Sequence, residues 1–199
     1  MYYTNIPKGQ LSGIERKYLY DTIRIIKPKI ALESGTWYGG GSTLQITRSL
    51  FDNNYGKLYT YEEHYPFFEV AAKYYQNSEF KNTINLYNED FVNGIKRFDN
   101  VFMNDVGFVF LDGGDETSEG VTKLPEFMYP EHSENLASFL YINARVKIGT
   151  HFLLHDWTIE MGRGSFIKEY LMKNKMMDQF EILNIIDETT GLAHLKKIK

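Results

Sequence analysis

Apolar residues follow two alternating patterns along the chain, one typical of helices and one typical of buried strands. A helical pattern from Ile14 to Ile26 follows the capping-box sequence Ser12–Glu15 and stops at Pro28. Short apolar runs predict five strands, at Lys29–Ser34, Lys57–Tyr61, Thr83–Tyr87, Asp105–Leu111 and Thr150–Leu154. Helical patterns separate them, at Ser42–Phe51, Pro66–Tyr75, a segment starting at Phe91, Asn135–Ala144 and Gly162–Met177. This alternation predicts an α/β fold with a parallel sheet.

The end of the chain has a different pattern, in which no helix separates the strands. Two β-like runs, Phe180–Ile186 and Leu192–Ile198, are joined by a connection of hairpin length that ends in Gly191. We therefore expect one domain over residues 1–199, closed by an antiparallel last strand, with an N-terminal helical segment at 1–28. The interval 116–145 has no strand pattern, and its irregular part, Thr117–Ser133, is expected to form a substrate lid or insertion.

Composition and charge exclude several classes of function. The 199 residues are 43% hydrophobic and 24% charged, which is typical of one globular domain. There is no cysteine, so a disulfide framework, a thiolate zinc site and a cysteine nucleophile are excluded. The net charge of −4 argues against duplex nucleic acid as a substrate. No apolar run resembles a signal peptide or reaches the length of a membrane span, so a cytoplasmic protein is expected, with a homodimer as a candidate state.

The stretch ALESGTWYGGGSTL, residues 31–44, joins the first predicted strand to the next helix. A strand, a glycine-rich turn and a helix N-terminus place backbone N–H groups and the positive end of a helix dipole beside a ligand. The stretch is neither the GxGxxG of dinucleotide sites nor a phosphate-binding loop, because no lysine follows the glycines. The pattern predicts a small-molecule site without a pyrophosphate signature.

Acidic residues follow the next strands at positions that suit a nucleoside. Glu62, with Glu63 as the alternative register, comes on the order of 20 residues after the glycine turn, where α/β folds place an acid that binds ribose hydroxyls. Asp112 ends the most apolar strand in the chain and is expected at the carboxyl edge of the sheet. Asp90 is a candidate helix cap before Phe91.

In order, the motifs ALESGTWYGGGST, LYTYEE, INLYNEDF, FVFLDGG and FLLHDW resemble those of the class I S-adenosylmethionine-dependent methyltransferases. The resemblance implies a Rossmann-like three-layer α/β/α sandwich whose seven-stranded sheet is mostly parallel, with an antiparallel last strand. It also implies S-adenosylmethionine as cofactor, with Glu33 near its methionine end, and Asp90 and Phe91 near its adenine. The implied cofactor contacts are Glu33, Gly35, Thr36, Tyr38, Gly39, Ser42, Thr43, Glu62, Asp90, Phe91 and Asp112.

Within that class, the motifs look most like those of small O-methyltransferases of the catechol and macrolide-sugar type. In those enzymes, acids after the fourth and fifth strands hold a divalent metal, so the resemblance implies Mg²⁺ or Mn²⁺ at Asp112 and Asp156. His155 and Trp157 flank Asp156 where the family has a second carboxylate or an amide, which leaves a metal-free mechanism open. In that mechanism His155 or Asp156 would act as the base, with Asp112, His155 and Asp156 as the candidate catalytic residues.

The resemblance favours a small acceptor, such as a sugar, a phenol or a carboxylate metabolite. The Asn/Asp-Pro-Pro-aromatic motif of enzymes that methylate adenine or cytosine amino groups is missing. Two alternatives belong to other classes. One is a cofactor-binding partner on the same fold without catalysis, and the other is an enzyme that uses NAD or a nucleotide sugar.

Overall fold

The computed structural model describes residue 9 and residues 11–113, 133–160 and 162–199. The strands are β1 Ile30–Ser34, β2 Lys57–Tyr61, β3 Ile84–Tyr87, β4 Val106–Leu111, β5 His151–His155, β6 Phe180–Ile186 and β7 Leu192–Lys197. The helices are α1 Gly13–Ile26, α2 Ser42–Asp52, α3 Tyr65–Gln76, α4 Phe91–Ile95, α5 Asn100–Asp105, α6 Glu134–Asn143 and α7 Arg163–Lys173. Short 3₁₀ helices lie at Glu79–Asn82 and Met177–Gln179.

The strands form one sheet in the order β3-β2-β1-β4-β5-β7-β6. β1 to β5 are parallel to one another, and β7 pairs antiparallel with both β5 and β6. The chain runs outward from β1 to β3 in one direction and from β4 to β5 in the other, so the strand order reverses between β1 and β4. Ser34 of β1 pairs with Leu111 of β4, so both strands end at the same level. This topological switch point is where open α/β sheets bind their ligands.

Helices cover both faces of the sheet, which confirms the predicted three-layer sandwich. Side chains of α1, α2 and α3 pack on one face with Phe108 and Phe110 of β4. Helices α4 to α7 pack on the other face, against Val109 and Leu111 of the same strand. β4 contributes to both cores because successive side chains of a strand point to opposite faces. Its hydrophobic run is therefore the centre of the fold.

The predicted capping box forms at the start of α1. The Ser12 hydroxyl accepts the N–H of Glu15 at 3.1 Å, and the Glu15 carboxylate accepts the N–H of Ser12 at 2.7 Å. Most predicted bounds differ from the observed ones by one to a few residues, and α5 was missed. Residues 116–132 of the expected lid lie outside the described part, and the remainder of that interval contains α6. None of the described helices is long and apolar enough to cross a bilayer.

Candidate functional site

A cavity opens at the carboxyl edge of the sheet, beside the switch point. Its described lining follows the ends of four parallel strands, at residues 34–37 after β1, 61–64 after β2, 89–91 after β3, and Asp112 and Gly113 after β4. Leu11, Gly41, Ser42, Phe67, Glu134, Arg163 and Gly9 complete it. The cavity thus lies where the sequence placed the ligand site.

Glu62 lies in this cavity, and its carboxylate is held by backbone amides. Oε2 accepts the N–H of Trp37 at 2.7 Å, and Oε1 accepts the N–H of His64 at 2.9 Å. Partial burial raises the pKa of Glu62, and the two amide hydrogen bonds oppose this rise. Each oxygen still has a lone pair to offer, so the carboxylate can accept hydrogen bonds from a ligand. Glu63 also lines the cavity but is more exposed.

The turn after β1 owes its shape to backbone conformations that side chains disfavour. Gly35 has φ of +86°, and a Cβ on it would lie 2.7 Å from the Cα of Gly113, so this glycine lets the turns after β1 and β4 touch. Gly39 has φ of +80° and packs against Tyr75 of α3. Trp37 is also left-handed, with φ of 51°, and in this conformation its N–H reaches Glu62. Gly35 and Gly39 therefore allow this turn to pack closely against neighbouring segments.

Glu33 lies beneath this turn, fully buried, and is not among the cavity-lining residues. Its Oε2 accepts the Thr60 hydroxyl at 2.7 Å, and the Thr60 and Thr36 hydroxyls are 2.5 Å apart. Its Oε1 has no hydrogen-bond partner among the described residues. Burial raises the pKa of Glu33 to about 7, although the nearby hydroxyls of Ser42, Thr60 and Thr43 oppose the rise. Glu33 thus supports the turn from below.

Asp90 and Phe91, for which the resemblance implies a position near the adenine, line the cavity at the end of β3. The Asp90 carboxylate also caps α4, accepting the N–H of Asn93 at 2.7 Å. Phe91 is buried and meets the Tyr61 ring edge-on at 5.2 Å between centroids. The capping role is compatible with a position on the cavity wall.

Two acids and two basic side chains form a cluster at the ends of β4 and β5. Asp112 Oδ1 accepts Arg163 Nη1 at 2.7 Å and His155 Nδ1 at 2.9 Å. Asp156 lies next to the same two groups, with Oδ2 3.5 Å from Arg163 Nη1 and Oδ1 3.3 Å from His155 Nδ1. Asp112 and Arg163 line the cavity, whereas His155 and Asp156 lie behind them, buried. The predicted catalytic residues are therefore together, and Arg163 joins them.

The charges in this cluster shift one another's pKa values. For His155, burial lowers the pKa, but the carboxylates of Asp112 and Asp156 outweigh burial and raise it to about 9. For Asp112, burial raises the pKa, yet the positive charges and hydrogen bonds of His155 and Arg163 bring it below its ordinary value. Near neutral pH His155 is therefore protonated and adds a positive charge to that of Arg163.

A divalent metal does not fit this cluster as it stands. The potential ligand atoms of Asp112, His155 and Asp156 lie within 4.8 Å of one another, which is close enough to share an ion. However, the Arg163 guanidinium already contacts both carboxylates, and the His155 Nδ1 faces them as a donor. A metal ion needs neutral imidazole and carboxylate oxygens that do not already accept from a cation.

Glycines on both sides of Arg163 explain how it reaches the cluster. A Cβ on Gly162 would lie 2.5 Å from the carbonyl oxygen of Asp156, and one on Gly164 would collide with the carbonyl oxygen of His155. The missing side chains let the first turn of α7 pack on the end of β5, and the Ser165 N–H donates to the Asp156 carbonyl. An arginine at a helix N-terminus is unfavourable unless acids face it. Gly-Arg-Gly at a predicted helix start was therefore an available signal.

The cavity contains only part of the predicted site. Seven predicted cofactor contacts line it, namely Gly35, Thr36, Ser42, Glu62, Asp90, Phe91 and Asp112. Four others, Glu33, Tyr38, Gly39 and Thr43, lie outside its described lining. Among the lining residues that sequence reasoning missed are Trp37, His64, Phe67, Glu134 and Arg163. Aromatic residues are common throughout the chain, so no local pattern separated Trp37 and Phe67 from core residues.

No protein-family model and no curated protein sequence matches the chain. Solved structures do resemble it. The O-methyltransferase TomG from Streptomyces achromogenes, involved in tomaymycin synthesis and in complex with S-adenosylmethionine (SAM), superposes with a TM-score of 0.71 at 16% identity, over 96% of this chain and 82% of TomG.

Two complexes with S-adenosylhomocysteine (SAH) give similar values. The O-methyltransferase from Bacillus cereus has a TM-score of 0.68 at 16% identity, over 98% of this chain and 85% of its own. The methyltransferase PaMTH1 from Podospora anserina has a TM-score of 0.66 at 13% identity, over 96% and 80%. The chain therefore has the Rossmann-like fold of the class I methyltransferases.

Proposed function

We propose that the protein is a SAM-dependent methyltransferase that methylates an oxygen of a small molecule. The observation that carries this proposal is the position of Glu62. Its carboxylate is fixed by the amides of Trp37 and His64, faces the cavity, and follows the strand next to the glycine turn. An acid held in this way is suited to accept two ribose hydroxyls. The shared fold with SAM- and SAH-bound enzymes supports the same reading.

The charge of the cavity favours SAM over the alternative cofactors. Six carboxylates line it, from Glu62, Glu63, Glu89, Asp90, Asp112 and Glu134, whereas Arg163 is the only lysine or arginine in the described lining. SAM carries a sulfonium and an ammonium group, which such a field attracts. NAD and nucleotide sugars carry a negatively charged pyrophosphate, which the same field repels.

Individual residues suit separate parts of the cofactor. Glu62 is placed for the ribose, and Asp90 and Phe91, at the end of the neighbouring strand, are placed for the adenine. The N-terminus of α2, capped by no side chain, offers its N–H groups to the carboxylate of the methionine part. Glu33, Thr36 and Thr43 would hold the turn in shape from behind.

The bound cofactor supplies a methyl group already activated by its sulfonium. The protein must then align an acceptor oxygen with that methyl and exclude water. We propose that Asp112, His155 and Asp156 help to orient the acceptor at this end of the cavity. Because its pKa is about 9, His155 is protonated near neutral pH and is a poor general base there.

Isothermal titration calorimetry tests the proposal. We expect the wild-type protein to bind SAM and SAH with micromolar dissociation constants and to bind NAD more weakly. Binding of neither SAM nor SAH at high micromolar concentration would refute the proposal. Tight SAH binding without methyl transfer to a broad acceptor panel would instead favour a non-catalytic cofactor-binding partner. The homodimer, the cytoplasmic location and the substrate lid stay predictions.

A further inference from the structure

In the cluster at the ends of β4 and β5, the two carboxylates are paired with cationic side chains of the protein. Arg163 Nη1 is 2.7 Å from Asp112 Oδ1 and 3.5 Å from Asp156 Oδ2, and therefore reaches both carboxylates. His155 Nδ1 contacts the same pair from behind. The guanidinium cannot lose its charge in a protein. The two carboxylates that a divalent ion would need as ligands are thus already paired with a positive charge of the protein.

Arg163 also changes the charge pattern of the cavity. Apart from His64, the other charged residues in the described lining are acids, so Arg163 is the lysine or arginine side chain there that attracts an anionic group. Its side chain is 17% exposed, on the cavity side of the cluster. A guanidinium has five N–H donors in a planar fork, which can serve Asp112 and a further oxygen anion together.

We infer that Arg163 takes the place of a metal ion in this enzyme and positions an acceptor through an anionic oxygen, as in a carboxylate or an ionised phenol. This inference rests on the proposed methyltransferase function and deepens it. A vicinal diol that binds by chelating a metal would not find one held by Asp112 and Asp156, because Arg163 and His155 already contact both carboxylates. Arg163 is a positioning residue for the acceptor, and His155 supports it by sharing Asp112.

An anionic acceptor matches the chemistry that the cluster can perform. The carboxylate oxygen of the acceptor attacks the methyl carbon, the carbon–sulfur bond breaks, and its electron pair stays on sulfur. The products are a methyl ester and the thioether SAH, and no proton is released. A neutral hydroxyl would have to lose a proton to a base, whereas Asp112 and Asp156 already accept hydrogen bonds or ion pairs from cations.

Manganese binding tests the metal half of the inference without any acceptor. Mn²⁺ is titrated by electron paramagnetic resonance into wild type, Arg163→Gln, Arg163→Lys and the control Arg48→Gln, whose arginine is exposed on α2. We expect weak binding by wild type, Arg163→Lys and Arg48→Gln. Arg163→Gln should bind Mn²⁺ about tenfold more tightly, because a repelling charge beside the carboxylates is gone. Wild-type binding as tight as that of Arg163→Gln, and lost in Asp112→Asn, would overturn the inference.

Benzoate binding to the SAH-loaded protein tests the acceptor half. We expect wild type, Arg163→Lys and Arg48→Gln to bind benzoate at millimolar concentration, and Arg163→Gln to bind it at least about tenfold more weakly. Failure of wild type to bind benzoate, or equal binding by Arg163→Gln, would contradict the assignment of Arg163 to the acceptor. Circular dichroism of each variant verifies that it is folded.

The affinity for SAH separates this inference from the function on which it rests. We expect SAH to bind wild type and Arg163→Gln equally well. If neither binds SAH, the proposed function fails. If only Arg163→Gln binds SAH weakly, Arg163 holds the carboxylate of the cofactor, and the acceptor assignment is wrong.

Discussion

The two halves of the cavity stabilise their carboxylates in different ways. On the β2 side, backbone amides hold Glu62, and these donors carry no net charge. On the β4 and β5 side, the side chains of Arg163 and His155 hold Asp112. The first half therefore keeps its negative field for a cationic cofactor, while the second is close to neutral. The comparison shows that acids at the ends of neighbouring strands can serve opposite purposes.

Removing Asp112 should produce the largest effect, because it leaves two partly or fully buried cations with one acid between them. We expect Asp112→Asn to lower the free energy of unfolding by about 3 kcal/mol. Urea denaturation measures this loss. The control Asp105→Asn removes only a surface partner of Lys29 and should cost less than about 1 kcal/mol. Equal losses in the two variants would mean that the ion pairs of Asp112 stabilise the fold no more than a surface ion pair does.

The ion pairs of His155 predict a pH dependence specific to the second half. Its pKa is raised from 6.5 to about 9 in the folded protein, so its stabilisation is complete below pH 6.5 and is lost as the pH rises through 9. The total loss should be about 3 kcal/mol. The free energy of unfolding, measured from pH 6 to pH 10, should fall as the pH rises. This slope should disappear in His155→Gln. A slope that persists in this variant would assign the effect to other groups.

Glu33, which lies beneath the first half of the cavity, predicts that the folding stability changes in a lower pH range. Burial raises its pKa from 4.5 to about 7, so the folded protein binds more protons than the unfolded chain between these values. Stability should therefore fall as the pH rises from 4.5 to 7, by up to about 3 kcal/mol. Glu33→Gln should flatten the slope in urea denaturation, since the amide cannot ionise. An unchanged slope would mean that Glu33 is not the group responsible.

Replacing Glu62 tests the first half with the smallest expected change in free energy. We expect Glu62→Gln to weaken SAH binding about tenfold, or about 1.4 kcal/mol, because the amide accepts weaker hydrogen bonds. Glu63→Gln is the matched control and should change the affinity less than about twofold. Calorimetry at one salt concentration compares the three proteins. A larger effect from Glu63→Gln would select the alternative register.

Features decided by local pattern were predictable from the sequence. The capping box at Ser12 and Glu15 depends on a spacing of three residues, and it forms as expected. The run before Asp112 was the clearest signal of a central strand, because it is apolar on both faces. Parallel strands end at one edge of the sheet, so the strand pattern, together with the spacing of Glu62 from the glycine turn, predicted that Glu62 and Asp112 lie at this edge.

Features decided by packing between distant segments were not predictable in the same way. Arg163 is 51 residues from Asp112 in the chain, and the two meet only because α7 packs on the end of β5. Glu33 contributes no side-chain atom to the described cavity lining, because its carboxylate accepts the Thr60 hydroxyl of the neighbouring strand. A strand pattern indicates that successive side chains alternate, and the tertiary fold decides which face meets a cavity.

A crystal structure of the protein with SAH tests the central claim most directly. We predict the ribose hydroxyls within hydrogen-bond distance of the Glu62 carboxylate, the adenine beside Asp90 and Phe91, and the sulfur toward Asp112. A structure with SAH elsewhere, or with its ribose away from Glu62, would contradict the account.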